Sequence, residues 1–101
     1  MNLKPDVEAI FVFLNGRKVC DGFRPAHLIK ENYLTTGLHH YYNLGNSKEE
    51  ELIGTITFIS PDKYPACLWV GKKIKIFDGA KLIGYATITQ IFNTILQRVD
   101  E

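Results

Sequence analysis

"KKIKIFDGAKLIGYATITQIF", residues 72–92, decides the fold. Ile74 and Ile76 alternate with Lys73 and Lys75, so one face of this stretch is apolar and the other charged. That period of two is the pattern of a strand with one side buried. Asp78-Gly79 then supplies a pair that tolerates the positive φ of a tight hairpin turn. Leu82–Phe92 returns as a second, longer run of Ile, Thr and Tyr, residues that suit a pleated surface. The stretch therefore predicts an antiparallel hairpin.

Working outward, the same punctuation recurs. "DVEAIFVFL", residues 6–14, reads as a strand running into Asn15-Gly16, which predicts a two-residue turn and a returning strand over "RKVCD", residues 17–21. Asp21-Gly22 marks a further turn. Pro25 pushes Arg24 toward an extended backbone, whereas residues 26–34 show no decisive period. Leu38–Leu44 fits a strand closed by Gly45-Asn46-Ser47. Residues 48–60 open with a charged edge and continue apolar on both faces, as a strand packed on one side and partly covered on the other, until Pro61-Asp62 ends it. "YPACLWVG", residues 64–71, contains breakers and reads as a loop with a packed anchor. The tail "NTILQRVDE", residues 93–101, is expected as one helical turn or a frayed end. No window carries a helical period. The expectation is an all-β fold: one small, closed antiparallel β-barrel of about six strands, closure being favoured because it removes exposed edges. It forms a single domain over 1–101, with its core at 6–93 and a tail at 94–101.

Composition agrees with a packed domain. The 101 residues are 46% hydrophobic and 23% charged, the usual balance for a globular chain. No apolar run approaches the roughly 20 residues that span a bilayer, and Pro5, Asp6 and Glu8 stand where a secretory leader would be apolar. Cytoplasmic residence without membrane contact is expected. Lysine plus arginine number 12 and aspartate plus glutamate 11, a net charge of +1. Any attraction for nucleic acid must then be local rather than a property of the whole molecule. Cys20 and Cys67 lie outside any Cys-x-x-Cys pair and are expected as two reduced thiols.

Four stretches together carry a family resemblance. "VEAIFVFL" resembles the opening strand of the third, C-terminal domain of elongation factor Tu and its eukaryotic counterpart. "DGFRPAHLIKENYLTTG" is similar to that family's Gly-Tyr-Arg-Pro segment with its later Thr-Gly step. In the remainder, "LIGTITFISPDKYPACLW" and "VGKKIKIFDGAKLIGYATITQI" resemble its closing strand, proline, Gly-turned loop and final hairpin. The resemblance covers most of residues 6–93. There are departures: Ser47–Glu51 replaces a Pro-Gly-Asp turn, Ala26 stands where many members have glutamine, and Ala86 replaces a glycine. No Gly-x-x-x-x-Gly-Lys-Ser/Thr loop is present to cradle phosphates, so nucleotide hydrolysis by such a loop is excluded.

The resemblance implies a non-catalytic binding module with a protein partner from the translation apparatus, or RNA, and no cofactor, metal or nucleotide. It points to Gly22, Phe23, Arg24, Pro25, Thr36 and Gly37 as matched contact positions, with His27 beside them. Arg24, presented by a restricted backbone, is suited to paired hydrogen bonds with carboxylate or phosphate; the alternative is a structural tie to Asp21 or Asp78. Lys72, Lys73 and Lys75 form a basic strand face that could meet RNA phosphates, extended by Arg17 and Lys18 if the hairpins are neighbours; the alternative is edge protection. Trp69 is a candidate anchor for a partner or a side chain buried under the barrel mouth. His39 and His40 point to opposite faces of a strand and cannot grip one ion together; they are expected to pair across strands with Tyr41 and Tyr42 or to face solvent. Two further readings remain: a defence or toxin-neutralising protein that imitates a translation-factor surface, and a small hydrolase or transferase using His27 or His39.

Overall fold

A computed structural model describes residues 4–42 and 51–99. Six strands form a closed barrel in which every neighbouring pair is antiparallel: β1 (Val7–Phe13), β2 (Ala26–Lys30), β3 (Tyr33–Tyr41), β4 (Glu51–Phe58), β5 (Lys73–Asp78) and β6 (Lys81–Ile91). Around the barrel the order is β1-β4-β3-β2-β5-β6, and β6 closes onto β1.

Alternation fills the interior. Val7, Ala9 and Phe11 of β1, Ile56 and Phe58 of β4, Ile74 and Ile76 of β5, and Ala86 and Ile88 of β6 are all buried. The β5–β6 hairpin forms as its sequence predicts, with Asp78 opposite Lys81 and Gly79 at φ 62°. Two bulges in β6 keep the alternation aimed inward: Ile83 is extra between the Phe77–Leu82 and Ile76–Gly84 pairs, and Thr89 is extra between Ala9–Ile88 and Glu8–Gln90.

One mouth is plugged by the connection from β4 to β5 together with the C-terminal segment. Tyr64, Leu68 and Leu96 are buried there, and Leu68 bridges to Gln97 in parallel. Leu68 is the packed anchor expected of residues 64–71. The tail forms a single 3₁₀ turn, Thr94–Leu96, capped by the Asn93 side chain. Buried Asp6 ties this mouth together: its carboxylate accepts from the Phe58 amide at 2.7 Å and the Asn93 amide at 2.8 Å.

Two expectations are corrected. Asn15 and Gly16 do adopt positive φ, 58° and 66°, but residues 17–21 do not return as a strand. Both edges of β1 are already taken, by β4 on one side and β6 on the other, so no edge is left for a hairpin partner. The chain instead crosses the second mouth, where Phe23 packs on Phe13 and His39. The region read as undecided, followed by a strand from Leu38, is a second hairpin, β2–β3, turning at Glu31-Asn32 with Asn32 at φ 60°. Residues 43–50, including the predicted turn at 45–47, lie outside the described residues.

Candidate functional site

The Gly-Phe-Arg-Pro segment leads directly into β2 and is laid along β3. Phe23 and His39 form one link, in which the His39 amide donates to the Phe23 carbonyl at 2.8 Å; the Gly37 amide donates to the Pro25 carbonyl at 3.2 Å. The Phe23 amide donates to the Cys20 carbonyl at 3.2 Å, closing a turn at Asp21-Gly22 in which Gly22 takes φ 90°. Arg24 sits between two carbonyls held by the neighbouring strand. Its own side chain is exposed and makes no hydrogen bond or ion pair with another described residue.

Neither structural tie considered for Arg24 forms, because both carboxylates are engaged elsewhere. Asp78 receives Arg17 at 2.7 Å, and Asp21 accepts from the Tyr41 amide at 2.8 Å and lies 3.1 Å from His40. Thr36, exposed, stands opposite Ala26 on the same outer face; Ile59, whose amide donates to the Thr36 carbonyl at 3.0 Å, lies beside it and Leu34 further along β3, 62% and 54% exposed.

The strands thus gather Gly22, Phe23, Arg24, Pro25, His27, Thr36 and Gly37 into one β2–β3 region, but they divide them between two faces. Arg24 and Thr36 point out. Phe23 leans inward under the Arg17 guanidinium, which lies 5.6 Å from its ring. Pro25, Gly37 and His27 are buried. His27 is therefore corrected from a surface contact to a core residue: strand alternation turns it inward with Ile29. Gly37 makes room for it, since a Cβ there would stand 2.6 Å from Ile56 Cγ2 and 2.9 Å from His27 Cε1.

Inside the barrel, the rings sequence reasoning left apart form one hydrogen-bonded chain. His27 Nδ1 lies 3.2 Å from the Thr35 carbonyl, His27 Nε2 lies 2.7 Å from His39 Nε2, and His39 Nδ1 lies 2.7 Å from the Tyr41 hydroxyl. A carbonyl only accepts, so His27 Nδ1 carries the proton; its bare Nε2 then accepts from His39, whose bare Nδ1 accepts from Tyr41. One direction of donation satisfies every member with both rings neutral. Burial holds them so: His27 is lowered from the ordinary histidine value to about 4 by desolvation, against a raising effect of the Thr35 carbonyl. His39 is lowered further, to about 2, by desolvation and then by the neighbouring His27. Burial, then Asp21 and Cys20, raises Tyr41, which stays the donor.

Thr35 joins this chain to a second one, its hydroxyl donating to the Tyr64 hydroxyl at 3.0 Å, which donates to the Ile59 carbonyl at 2.6 Å. His39 and Tyr41 partner along one strand, two residues apart, rather than across strands. His40 points outward as expected, with the Tyr42 ring 6.2 Å away. Among the described residues, no three His, Cys, Asp or Glu side chains are placed to hold a metal ion.

Lys73 and Lys75 are exposed on β5, but the returning strand over residues 17–21 that would have carried Arg17 and Lys18 beside them does not form. Arg17 pairs with Asp78, at the opposite end of β5 from Lys73. The cations near Lys73 are others. Lys72 Nζ donates to the Ile29 carbonyl at 2.7 Å and the Cys67 carbonyl at 2.9 Å, filling the gap where β2 and β5 part after His27. Trp69, half-buried, has Lys72 Nζ at 4.7 Å and the Arg98 guanidinium at 4.3 Å from its ring. Cys20 and Cys67 are free thiols; burial raises the Cys67 thiol, which donates to the Tyr64 carbonyl at 3.0 Å. No helix among the described residues is long and apolar enough to cross a membrane.

No family model matches this chain, and no curated protein is significantly similar to it.

Proposed function

We propose that the chain is a cytoplasmic, non-catalytic binding module that captures a protein on the outer β2–β3 face around Arg24. The observation that carries this reading is the state of Arg24: exposed, unpaired among the described residues, and set on backbone whose flanking carbonyls are held by β3. Fixed backbone removes the cost of ordering the main chain, and the planar guanidinium fork loses less freedom per hydrogen bond than an ammonium when it meets a carboxylate bidentately; arginine is also prominent among the residues that dominate protein interfaces. Thr36 and the exposed Leu34 and Ile59 extend the face with polar and apolar contact area.

The non-catalytic part of the reading is supported by where the reactive side chains stand. His27 and His39 are sealed in the core as neutral, mutually satisfied rings, and burial keeps Cys67 protonated. The resemblance to the elongation-factor barrel supports a partner from the translation apparatus.

The test is an affinity capture from cell extract with the immobilised chain and its Arg24→Glu variant, each run with and without nuclease. One translation protein retained by the wild type, insensitive to nuclease and lost from the variant, is the expected result. Identical capture profiles for the two proteins reject the Arg24 face, and a partner unconnected with translation rejects that part of the reading.

A further inference from the structure

Ladder register fixes which side chains stand side by side outside β4, β1, β6 and β5. One row across the four strands reads Ile53, Ile10, Thr87, Lys73; the next reads Glu51, Val12, Tyr85, Lys75. Over these rows lies a half-open hollow of about 460 Å³, with Ile10, Val12, Leu14, Tyr85 and Thr87 as its lining, Lys73 at one rim and Glu51 at the other. Lys73 Nζ stands 4.5 Å from the centroid of the Tyr85 ring. Chemical character therefore changes in one direction across the face, from cations on β5, through an aromatic ring and hydroxyl on β6, to aliphatic carbons on β1 and a carboxylate on β4.

We propose that this hollow binds single-stranded nucleic acid, with the phosphate backbone along the β5 lysines and the bases laid against Tyr85 and the aliphatic floor of β1. Single strands are held by cations that follow the backbone and by rings on which bases stack, and both are present here in adjacent columns. Lys73 and Lys75 are two residues apart on one strand, which places their side chains on the same face about 7 Å apart, a step suited to successive phosphates of an extended strand. The bases of a duplex are stacked and paired inside it and cannot lie against Tyr85, so a duplex fits poorly. The hollow sits over the β4–β1, β1–β6 and β6–β5 ladders, whose backbone groups are paired with one another and offer a peptide no strand to extend. This site lies on a different face from Arg24 and does not rest on the protein-binding reading.

The test is fluorescence anisotropy of a labelled oligouridylate of about twelve nucleotides. The proteins are the wild type, K73E/K75E, Y85A and, as a charge-reversal control on the loop across the second mouth, K18E; circular dichroism checks that each is folded. The wild type and K18E should bind alike. Two phosphate contacts to a single strand predict a loss of roughly sevenfold in affinity between about 50 and 200 mM salt. K73E/K75E should bind at least tenfold more weakly, and Y85A at least fivefold, the lower end of a lost base stack. Absence of binding at low salt, equal binding of a duplex, equal binding of polyglutamate, or a K73E/K75E protein that binds like the wild type would each overturn the proposal. Should Y85A misfold, Tyr85→Phe keeps the ring and should retain affinity, and its loss would count equally against base stacking.

Discussion

His27 and His39 meet Nε2 to Nε2 at 2.7 Å in the barrel interior, each less than 2% exposed, with no carboxylate among their hydrogen-bond partners. The rings around them are Phe11, Phe13, Phe23, Phe58 and Tyr41. The Thr35 carbonyl favours the charged form of His27, but desolvation by burial outweighs it.

Acid should therefore unfold this protein through its histidines. Both folded-state values, about 4 and about 2, lie below the unfolded value near 6.5. The unfolded chain thus binds more protons once the pH falls below about 6.5, and stability declines with falling pH. Each histidine contributes a slope of about 1.4 kcal/mol per pH unit, so the pair gives nearly 3 at most, between about pH 6 and 4. Urea midpoints measured at successive pH values should show the decline, and H27L/H39F should flatten it. A wild-type midpoint unchanged from pH 7 to 5 would contradict the buried neutral pair.

Gly37 and Gly54 should both resist alanine, in a defined order. At Gly37 the new methyl meets the ends of the Ile56 and His27 side chains, which can shift, so a cost of roughly 1–3 kcal/mol is expected. At Gly54 it meets the His40 carbonyl and Tyr41 Cα, which are backbone and not the movable end of a side chain, at the last pairs of the β3–β4 ladder. Thermal denaturation should rank Gly54→Ala below Gly37→Ala; the reverse order would contradict this packing.

Asp6 is a joint rather than a surface charge. Asp6→Ala leaves the Phe58 amide and the Asn93 side chain without their acceptor. The expected loss is about 2–3 kcal/mol, the usual range for a hydrogen bond to a charged group with its partner left buried. For a chain of this size that lowers the melting temperature by roughly 10 °C or more. A calorimetric shift within a degree or two of the wild type would contradict the role.

Arg24→Glu should leave the fold alone. An exposed side chain with no partner among the described residues contributes within about 0.5 kcal/mol of zero, so its melting temperature should match the wild type. Loss of stability would mean that Arg24 holds the turn.

Much of the barrel was legible in the chain because its signals are local. Alternation in Lys73–Asp78 and Leu82–Phe92, with Asp78-Gly79 between them, needs only the strand period and one permissive turn. The β2–β3 hairpin was harder, since Glu31-Asn32 lacks a glycine and the inward positions of β2 and β3 carry His27, Thr35, Gly37 and His39 in place of aliphatics. An apolar alternation could not be seen where the core itself is polar.

Asn15-Gly16 marks the boundary between the two kinds of information. The dipeptide determined its own backbone, positive φ at both residues, because that depends on neighbouring atoms alone. Whether a strand followed depended on which edges of β1 were free, and β4 and β6, distant in sequence, had taken both. The same holds for function. Sequence set Arg24 on an extended backbone through Pro25, but only the assembled barrel gave Asp21 and Asp78 to other partners, left the guanidinium exposed, and turned His27 inward to meet His39.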